Sequence, residues 1–210
     1  FLLDSRGREA KIMTIVNQSV QLNPAVKDSL AGTLQFCLNK FLENIDGMLP
    51  ARVVAYDRVN SPNRIKVQPL IFILNTDGST ESRPQPAEIP VFSFGGGNFF
   101  ISFNLRPGDF GWIKSNDRDI SLFLQSYTES KPNTLRKMSF SDAVFIPDVM
   151  RGYTINPEDL NSMVISSIDG TVKITLATDV IQITAPLVIV NGNVQVNGNI
   201  AATGTITPGG

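Results

Sequence analysis

The end of the chain, VNGNVQVNGNIAATGTITPGG (190–210), repeats with a period of six residues, and this repeat restricts the fold more than any other feature. The period is marked by glycine at positions 192, 198, 204 and 210. Branched apolar residues keep the same spacing: Val194, Ile200 and Ile206. Glycine and asparagine accept the positive φ angles of sharp turns, whereas branched residues favour extended chain. The pattern therefore predicts short β-segments, with turns at Gly192, Gly198 and Gly204, and no helix.

The residues just before the repeat also have the pattern of strands. TVKITLA (171–177) alternates strictly, so one side of this strand is apolar and the other is polar. The apolar side carries Val172, Ile174 and Leu176, and the polar side carries Thr171, Lys173 and Thr175. Asp169-Gly170 predicts a hairpin or corner turn at Gly170. Residues 164–210 are therefore expected to form a β-ribbon with one apolar face.

The apolar face of this ribbon needs a cover, because an isolated ribbon with open edges is unstable and prone to aggregate. The chain could wind on itself as a hexapeptide solenoid, but three repeats are close to the minimum for a stable stack. Burial against identical chains is the favoured alternative, with three copies wrapped round one axis as a closed prism. Thr, Asn, Lys and Gln would then lie outside. The predicted trimer core consists of Val172, Ile174, Leu176, Val194, Ile200 and Ile206.

Residues 1–48 are predicted to form an arm followed by one helix. Asn23 is a suitable N-cap, Pro24 fits the first helical position, and Asp46-Gly47 has the pattern of a helix end. Apolar residues recur along this helix at spacings of three and four: Val26, Leu30, Leu34, Cys37, Leu38, Phe41, Leu42 and Ile45. This stripe could pack on the helix's own domain or form a short oligomer seam. Cys37 is expected to be a small buried residue.

Residues 49–149 have the pattern of a small all-β domain. The candidate strands are ARVVAYD (51–57), RIKVQPLIFIL (64–74), IPVFSF (89–94), FFISFNL (99–105), FGWIKS (110–115) and AVFIPDV (143–149). RDISLFLQS (118–126) is a candidate short helix. Short strands separated by turn residues suit a small Greek-key barrel such as an OB-fold. Residues 150–163, with Pro157 and several polar residues, are predicted to be a linker to residues 164–210.

The composition of the 210-residue chain argues against an enzyme. The chain contains no histidine, which removes the commonest general base and the commonest zinc ligand, and its single cysteine is Cys37. A net charge of −1 supplies no basic surface for nucleic acid. We therefore expect no catalytic residue, no cofactor, no metal site and no nucleic-acid partner.

Three local motifs have structural explanations. Gly95-Gly96-Gly97 lacks the Lys and Ser/Thr of a phosphate-binding loop and leads into a strand, so we expect a turn there. Asp117 has no evident catalytic partner, and Arg118 and Asp119 are expected to form local ion pairs or to begin a helix. A dense aromatic set is not interleaved with Lys or Arg, so core packing or a subunit contact is expected of Phe92, Phe94, Phe99, Phe100, Phe103, Phe110 and Trp112.

The order of helix, small barrel and terminal β-repeat resembles the central spike of contractile-tailed bacteriophages and related injection machines. The barrel stretches that carry the resemblance are LPARVVAYDRVNSPNRIKVQPLI (49–71), IPVFSFGGGNFFISFNLRPGDFGWIKSNDRDISLFLQS (89–126) and FSDAVFIPDV (140–149). The stretch VIQITAPLVIVNGNVQVNGNIAATGTIT (180–207) is similar to the β-helix of the spike where it enters the tip. The resemblance implies a mainly β fold: an N-terminal helix, an OB-fold-like barrel and a C-terminal trimeric β-helix.

The resemblance also implies a function. A protein of this family is a homotrimer in the tail baseplate of the virion, assembled in the host cytoplasm and held by hub and tail-tube proteins. It punctures the host outer membrane mechanically when the sheath contracts. Many such spikes hold iron through histidines at the tip; because this sequence has no histidine, no metal site is implied. The alternatives are a trimeric tail fibre or adhesin, an OB-fold module that binds nucleic acid or glycan, and a β-solenoid enzyme.

Overall fold

The computed structural model describes residues 29–43, 45–75 and 77–206. The chain divides into two compact units, Phe1–Met150 and Arg151–Gly210. The predictions for the N-terminal arm, for the helix start at Asn23 and Pro24, and for the glycine at position 210 lie outside the described residues. Within the described ranges, no helix is both long enough and apolar enough to cross a membrane.

Helix α1 spans Leu30–Glu43. Ser29 caps its first turn, because the Ser29 Oγ accepts a hydrogen bond from the Gly32 N–H at 3.0 Å. The apolar stripe of α1 is exposed: Leu30 and Phe41 are each more than half exposed. Cys37 lies on the same stripe and is exposed as well, so the expectation of a buried thiol was wrong. The physical reason is that the described part of its own chain does not cover this side of the helix.

The first unit is built mainly from strands. Those described are β1 (Met48–Ala55), β2 (Arg64–Pro69), β3 (Ile73–Leu74), β4 (Thr80–Glu81), β5 (Ile89–Pro90), β6 (Phe94–Gly96), β7 (Phe99–Ile101), β8 (Phe110–Asn116) and β9 (Ser139–Pro147). A short helix, α2 (Ser121–Ser126), lies between β8 and β9. Five strands form one antiparallel sheet in the order β5-β2-β1-β8-β9. Strands β3–β4 and β6–β7 form two separate hairpins.

The two edge strands of the five-stranded sheet meet and nearly close it into a barrel. Val91, just after β5, forms a parallel bridge with Phe145 of β9. The Phe92 N–H then donates to the Phe145 carbonyl oxygen at 2.7 Å. Closure of this kind removes the free sheet edges that would otherwise invite aggregation. The predictions of a mainly β fold and of a small OB-like barrel are thus confirmed.

Alternate residues of the barrel strands fill its interior, as a period of two requires. The buried core consists of Ala51, Val53, Ile65, Val67, Ile89, Ile113, Phe140, Ala143 and Phe145. The ring of Phe145 lies directly against Gly111 of β8. A Cβ at position 111 would lie 2.4 Å from both the Phe145 Cζ and the Ile146 carbonyl oxygen. Glycine is therefore required at this position for β8 and β9 to approach each other.

Three predicted strands are shorter in the structure, namely those over 64–74, 89–94 and 99–105. The sequence favoured a single strand over 64–74, whereas β2 ends at Pro69 and β3 begins at Ile73. The last ladder bond to β1 comes just after Pro69, where the Leu70 N–H donates to the Pro50 carbonyl oxygen at 2.9 Å. The polar loop after this point folds back as the β3–β4 hairpin.

The second unit contains a three-stranded antiparallel sheet. Its strands are β10 (Met163–Ser166), β11 (Lys173–Leu176) and β12 (Ile181–Thr184), with β11 in the centre. A single 3-10 turn, Pro157–Asp159, precedes β10 within the segment predicted to be a linker. Between residues 185 and 206, all of which are described, no strand is assigned. The part of the six-residue repeat that the structure describes thus has no strand pairing inside its own chain, and the C-terminal β-helix stays a prediction.

Candidate functional site

The β10–β12 sheet has one face made of large apolar side chains. Residues directly opposite each other on antiparallel strands point to the same face. The face consists of two rows across the three strands: Ile165–Ile174–Ile183 and Met163–Leu176–Ile181. All six side chains are exposed, from 36% for Leu176 to 68% for Ile181. We call this surface the apolar face. Val172, at the start of the same stripe, is also exposed.

The apolar face is large enough to require a cover. Full burial of a Leu, Ile or Met side chain is worth about 2 kcal/mol, so the uncovered fractions of the six residues amount to about 6 kcal/mol per chain. A large, contiguous patch of exposed apolar surface typically marks a site where a protein binds another molecule. The three residues predicted from the sequence for this region, Val172, Ile174 and Leu176, all belong to it.

The opposite face of the same sheet is covered by the chain itself. Lys173 and Thr175 are 5% and 4% exposed, and Asp159 lies over them with 3% exposed. The Lys173 ammonium donates to the Asp159 carboxylate and to Glu158 Oε1, the latter at 3.1 Å. Thr175 Oγ1 donates to the other Asp159 oxygen at 3.1 Å. Lys173 and Thr175 thus lie on the side opposite the apolar face, as the alternation predicted, but they are buried under the 3-10 turn rather than exposed to solvent.

The charges under the 3-10 turn stabilise each other. The hydrogen bond to Asp159 raises the pKa of Lys173, with Glu158 adding to the effect. The same bond from Lys173, followed by the one from Thr175, lowers the pKa of Asp159. Both groups are thus held in their charged forms at neutral pH. No periodic pattern in the sequence indicates this pair, because its acidic member lies in a polar segment before the sheet.

The turn between β10 and β11 is built around Asp169. Its Oδ1 accepts hydrogen bonds from Ser167 Oγ at 2.5 Å and from Thr171 Oγ1 at 2.9 Å. Gly170 has a φ of 75°, in the left-handed region that glycine tolerates best. This turn aligns β10 with β11 and so fixes which residues share the apolar face.

The remaining predicted core residues lie in the six-residue repeat. Val194, Ile200 and Ile206 are all about two-thirds exposed, and the described chain does not bring them against one another. Gly192 has a φ of 147°, and there is open space around Gly192, Gly198 and Gly204 alike. The repeat thus offers a second apolar surface that the single chain leaves uncovered.

The first unit also leaves apolar residues exposed. The hairpin β6–β7 and its flanks carry five exposed phenylalanines: Phe92, Phe94, Phe99, Phe100 and Phe103. The aromatic set was expected to pack in the core or to form a subunit contact. Core packing was the wrong prediction for these five residues, because Phe140 and Phe145 fill the barrel instead. Trp112 is half-buried, and its Nε1 donates to Asp148 Oδ2 at 2.6 Å.

The acidic motif before α2 begins this helix, which is one of its two expected roles, because Asp119 Oδ1 accepts the Ser121 N–H at 2.9 Å. The ion pair of Asp119 is not the local one that was expected. The partner of Asp119 is Arg136, at 3.2 Å, rather than its neighbour Arg118. Arg136 also pairs with Asp142 at 3.0 Å, and Thr134 Oγ1 donates to Asp119 Oδ2 at 2.7 Å. The two carboxylates are nearly buried. This cluster ties the long α2–β9 loop to the barrel and leaves the carboxylates fully paired.

A surface cleft of about 370 Å³ lies beside the β3–β4 hairpin. Its charged groups are paired with each other: Arg83 Nη1 lies 3.0 Å from Asp46 Oδ1. Asp46 Oδ2 accepts the Phe140 N–H at 2.9 Å. The hydrogen bond between Asp46 and Phe140 therefore holds the segment after α1 against β9, on one side of the cleft. No cluster of side chains suited to a metal ion occurs among the residues that the structure describes.

A closed barrel followed by a sheet with one uncovered apolar face is typical of a protein that assembles through its surfaces. Residues 49–148 match the family model described as the phage protein Gp138 N-terminal domain. The matched range corresponds closely to the barrel, from β1 to the end of β9. No curated protein matches the chain. The match supports a phage protein, and a phage domain of this kind suggests a structural component of the virion.

Proposed function

We propose that the chain is the central spike of a contractile-tail baseplate, a homotrimer that punctures the host outer membrane mechanically. The observation that carries the proposal is the contrast between the two faces of the β10–β12 sheet. The polar face is covered by Asp159 and Glu158 of the same chain, whereas none of the described residues covers the apolar face. The barrel that precedes this sheet in the chain matches a phage protein domain, which supports a structural role in a phage particle.

Identical chains fit the apolar face better than a different partner. A closed symmetric assembly covers the same surface on every copy and leaves none exposed. The two apolar rows run across the strands, so three sheets can meet round one axis with Ile174 of each near the centre. The predicted core residues Val172, Ile174 and Leu176 would then be buried together.

The six-residue repeat supports the same assembly. Its backbone has no strand partner within its own chain between residues 185 and 206, although its composition favours extended segments. Buried backbone groups must be paired, and neighbouring copies in a triple-stranded β-helix would pair them. Val194, Ile200 and Ile206 would face the axis, with Gly192, Gly198 and Gly204 at the corners.

The charge distribution is suited to entry into a membrane. Residues 180–210 contain no Asp, Glu, Lys or Arg. Because this segment has no charged side chain, it can enter the hydrocarbon layer of a membrane without the large free-energy cost of desolvating a charge. The charged groups of this unit, including Lys173, lie before the repeat. The mechanism is mechanical: many backbone hydrogen bonds in a closed prism fail only together, so the spike transmits an axial push. No catalysis or cofactor is part of it.

The N-terminal part of the chain would attach the spike to the rest of the tail. The exposed stripe of α1, together with the preceding arm, is our candidate for contact with hub or tail-tube proteins. Exposed apolar residues on a helix provide anchors of the kind used in helix-in-groove recognition. The spike would be assembled in the host cytoplasm and act as part of the virion, touching the outer membrane only transiently.

Two measurements test this proposal. Light scattering on the purified chain should give the mass of three copies, and the trimer should resist SDS without heating. Electron microscopy of intact particles should then place the chain on the three-fold axis of the baseplate. A monomer in solution would contradict the assembly. A trimer located off the axis, with measurable binding to host glycans, would instead identify a tail fibre or adhesin.

A further inference from the structure

The barrel carries an apolar projection that its own fold does not explain. The aromatic hairpin, residues 92–103, contains β6, β7 and their flanks. The exposed fractions of its five phenylalanines range from 42% for Phe92 to 85% for Phe99. Phe92 and Phe94 pack edge to face with ring centroids 5.2 Å apart, so the flank before β6 is partly ordered by its own aromatic residues. Phe99 and Phe100 have no such cover.

Both sides of the hairpin are apolar. The pairs Phe94–Ile101 and Gly96–Phe99 are in register, so Phe94, Phe99 and Ile101 point to one side. Phe100 is opposite Gly95 and points to the other side. A partner that covered only one side would leave an aromatic ring in water. The hairpin therefore fits a crevice better than a flat surface.

The hairpin segment itself carries no charged side chain, and the one charged group with a side-chain hydrogen bond to it among the described residues is Arg58, whose Nη2 donates to Ser102 Oγ at 3.1 Å. No Asp, Glu, Lys or Arg occurs between positions 89 and 105. Binding to anionic lipid or nucleic acid relies on Lys and Arg, and neither is present in this segment. The chemistry thus favours an apolar protein surface, which is most typical of contacts between subunits that assemble permanently.

The exposed area is of the size that an interface requires. A phenylalanine buries about 200 Å² when fully covered, so the five exposed rings present roughly 600 Å² together. A stable interface buries about 800 Å² on each partner, whereas the largest apolar patch of a soluble monomer is typically about 300–600 Å². The hairpin alone thus supplies most of one side of a stable contact.

We propose that the aromatic hairpin docks on a second copy of this chain, as a wedge between adjacent barrels. In a closed ring, each subunit can insert one hairpin and receive one, so every hairpin is covered on both sides. This contact rests on the proposed trimer and adds an interface in the barrel that is separate from the apolar face of the β10–β12 sheet. It gives the barrels their own subunit contacts.

A photo-crosslinker tests the contact directly in the full chain. We would place p-benzoylphenylalanine at Phe99 or at Phe100 and irradiate the purified protein. The expected result is covalent dimers and trimers on a denaturing gel for both positions. The matched control is the same group at Leu135, which is 97% exposed in a loop of the same unit and should give no product between chains. Absence of products from positions 99 and 100 would overturn the proposal.

A double substitution tests the same contact without a crosslinker. Phe99→Ser combined with Phe100→Ser removes two exposed rings and no core residue, so the circular dichroism of the subunit should be unchanged. The concentration at which half of the trimer dissociates should rise by about tenfold or more. An unchanged value would overturn the inference. A wild-type trimer without crosslinks refutes only the hairpin contact, whereas a wild-type monomer refutes the proposed function.

Discussion

Replacing Ile174 with aspartate tests the apolar face at its centre. Ile174 lies on β11 between Ile165 and Ile183, and 40% of it is exposed in the described subunit. A polar residue at a surface position on a strand is tolerated by the isolated subunit. In a trimer whose three apolar faces meet at one axis, residue 174 of each chain would lie against residue 174 of the other two chains. The substitution should therefore act on assembly more than on folding.

The magnitude follows from the exposed fraction of this side chain. Full burial of isoleucine is worth about 2–3 kcal/mol, so covering the remaining part contributes about 1 kcal/mol per copy. Summed over three copies, the loss of about 3 kcal/mol weakens trimer formation roughly a hundredfold. Three carboxylates that lose their hydration and meet one another add several kcal/mol more. We therefore expect the trimer to be absent at micromolar concentrations.

Light scattering over a range of concentrations, together with denaturing gels run without heating, measures this effect. The matched control is Gln182→Asp, which adds the same charge to an exposed position on the other face of β12. The control should assemble normally, since Gln182 pairs with Thr175 on the polar face. An Ile174→Asp protein that still forms trimers with an unchanged melting temperature would refute the assignment of this face to the trimer core.

Three further perturbations test other parts of the structure. Asp159→Asn should lower the melting temperature at neutral pH and flatten its decline in acid, measured by thermal melts across pH. Gly111→Ala should destabilise the barrel by about 3 kcal/mol in urea unfolding, because the added Cβ would lie 2.4 Å from a backbone oxygen of β9. A spin label at Val194 should show restricted motion, whereas one at Asn193 should move freely.

The sign of the acid effect follows from the two pKa shifts. Folding lowers the pKa of Asp159, so its contribution is present above the pKa of the unfolded carboxyl and is lost as the pH falls through the folded value. Folding raises the pKa of Lys173, so its contribution is present below the unfolded lysine pKa and is lost as the pH rises through the folded value. The pair is intact at neutral pH. Identical acid profiles for the wild type and Asp159→Asn would contradict this role.

The other two predictions have matched controls. Gly47→Ala, also in the first unit, places its Cβ in open space and should leave stability nearly unchanged. Equal stability of the variants at positions 47 and 111 would show that β8 and β9 do not need the glycine. The spin-label experiment requires Cys37→Ser, since this thiol is exposed and would react as well. Free motion at position 194 would reverse the inward assignment of the repeat.

The barrel was predictable from the sequence because its signals are local. Alternation along β1 and β2 places Ala51, Val53, Ile65 and Val67 inside, and these residues are buried. The aromatic residues were harder to assign, because Phe99 and Phe145 look alike in a sequence while one is exposed and the other fills the core. Their positions depend on how the sheet closes, which brings β5 and β9 together across more than fifty residues of chain.

The sequence by itself determined that β11 has an apolar side and a polar side, since a strand sends successive residues to opposite faces. It also predicts, without a strand in residues 185–206 to confirm it, that glycine turns divide the last residues into short extended segments. Only the tertiary structure decided which side the chain covers for itself. Asp159 reaches Lys173 and Thr175 across a turn, and such pairing of distant polar groups leaves no periodic trace. The described chain covers the polar side with its own 3-10 turn and leaves the apolar side exposed.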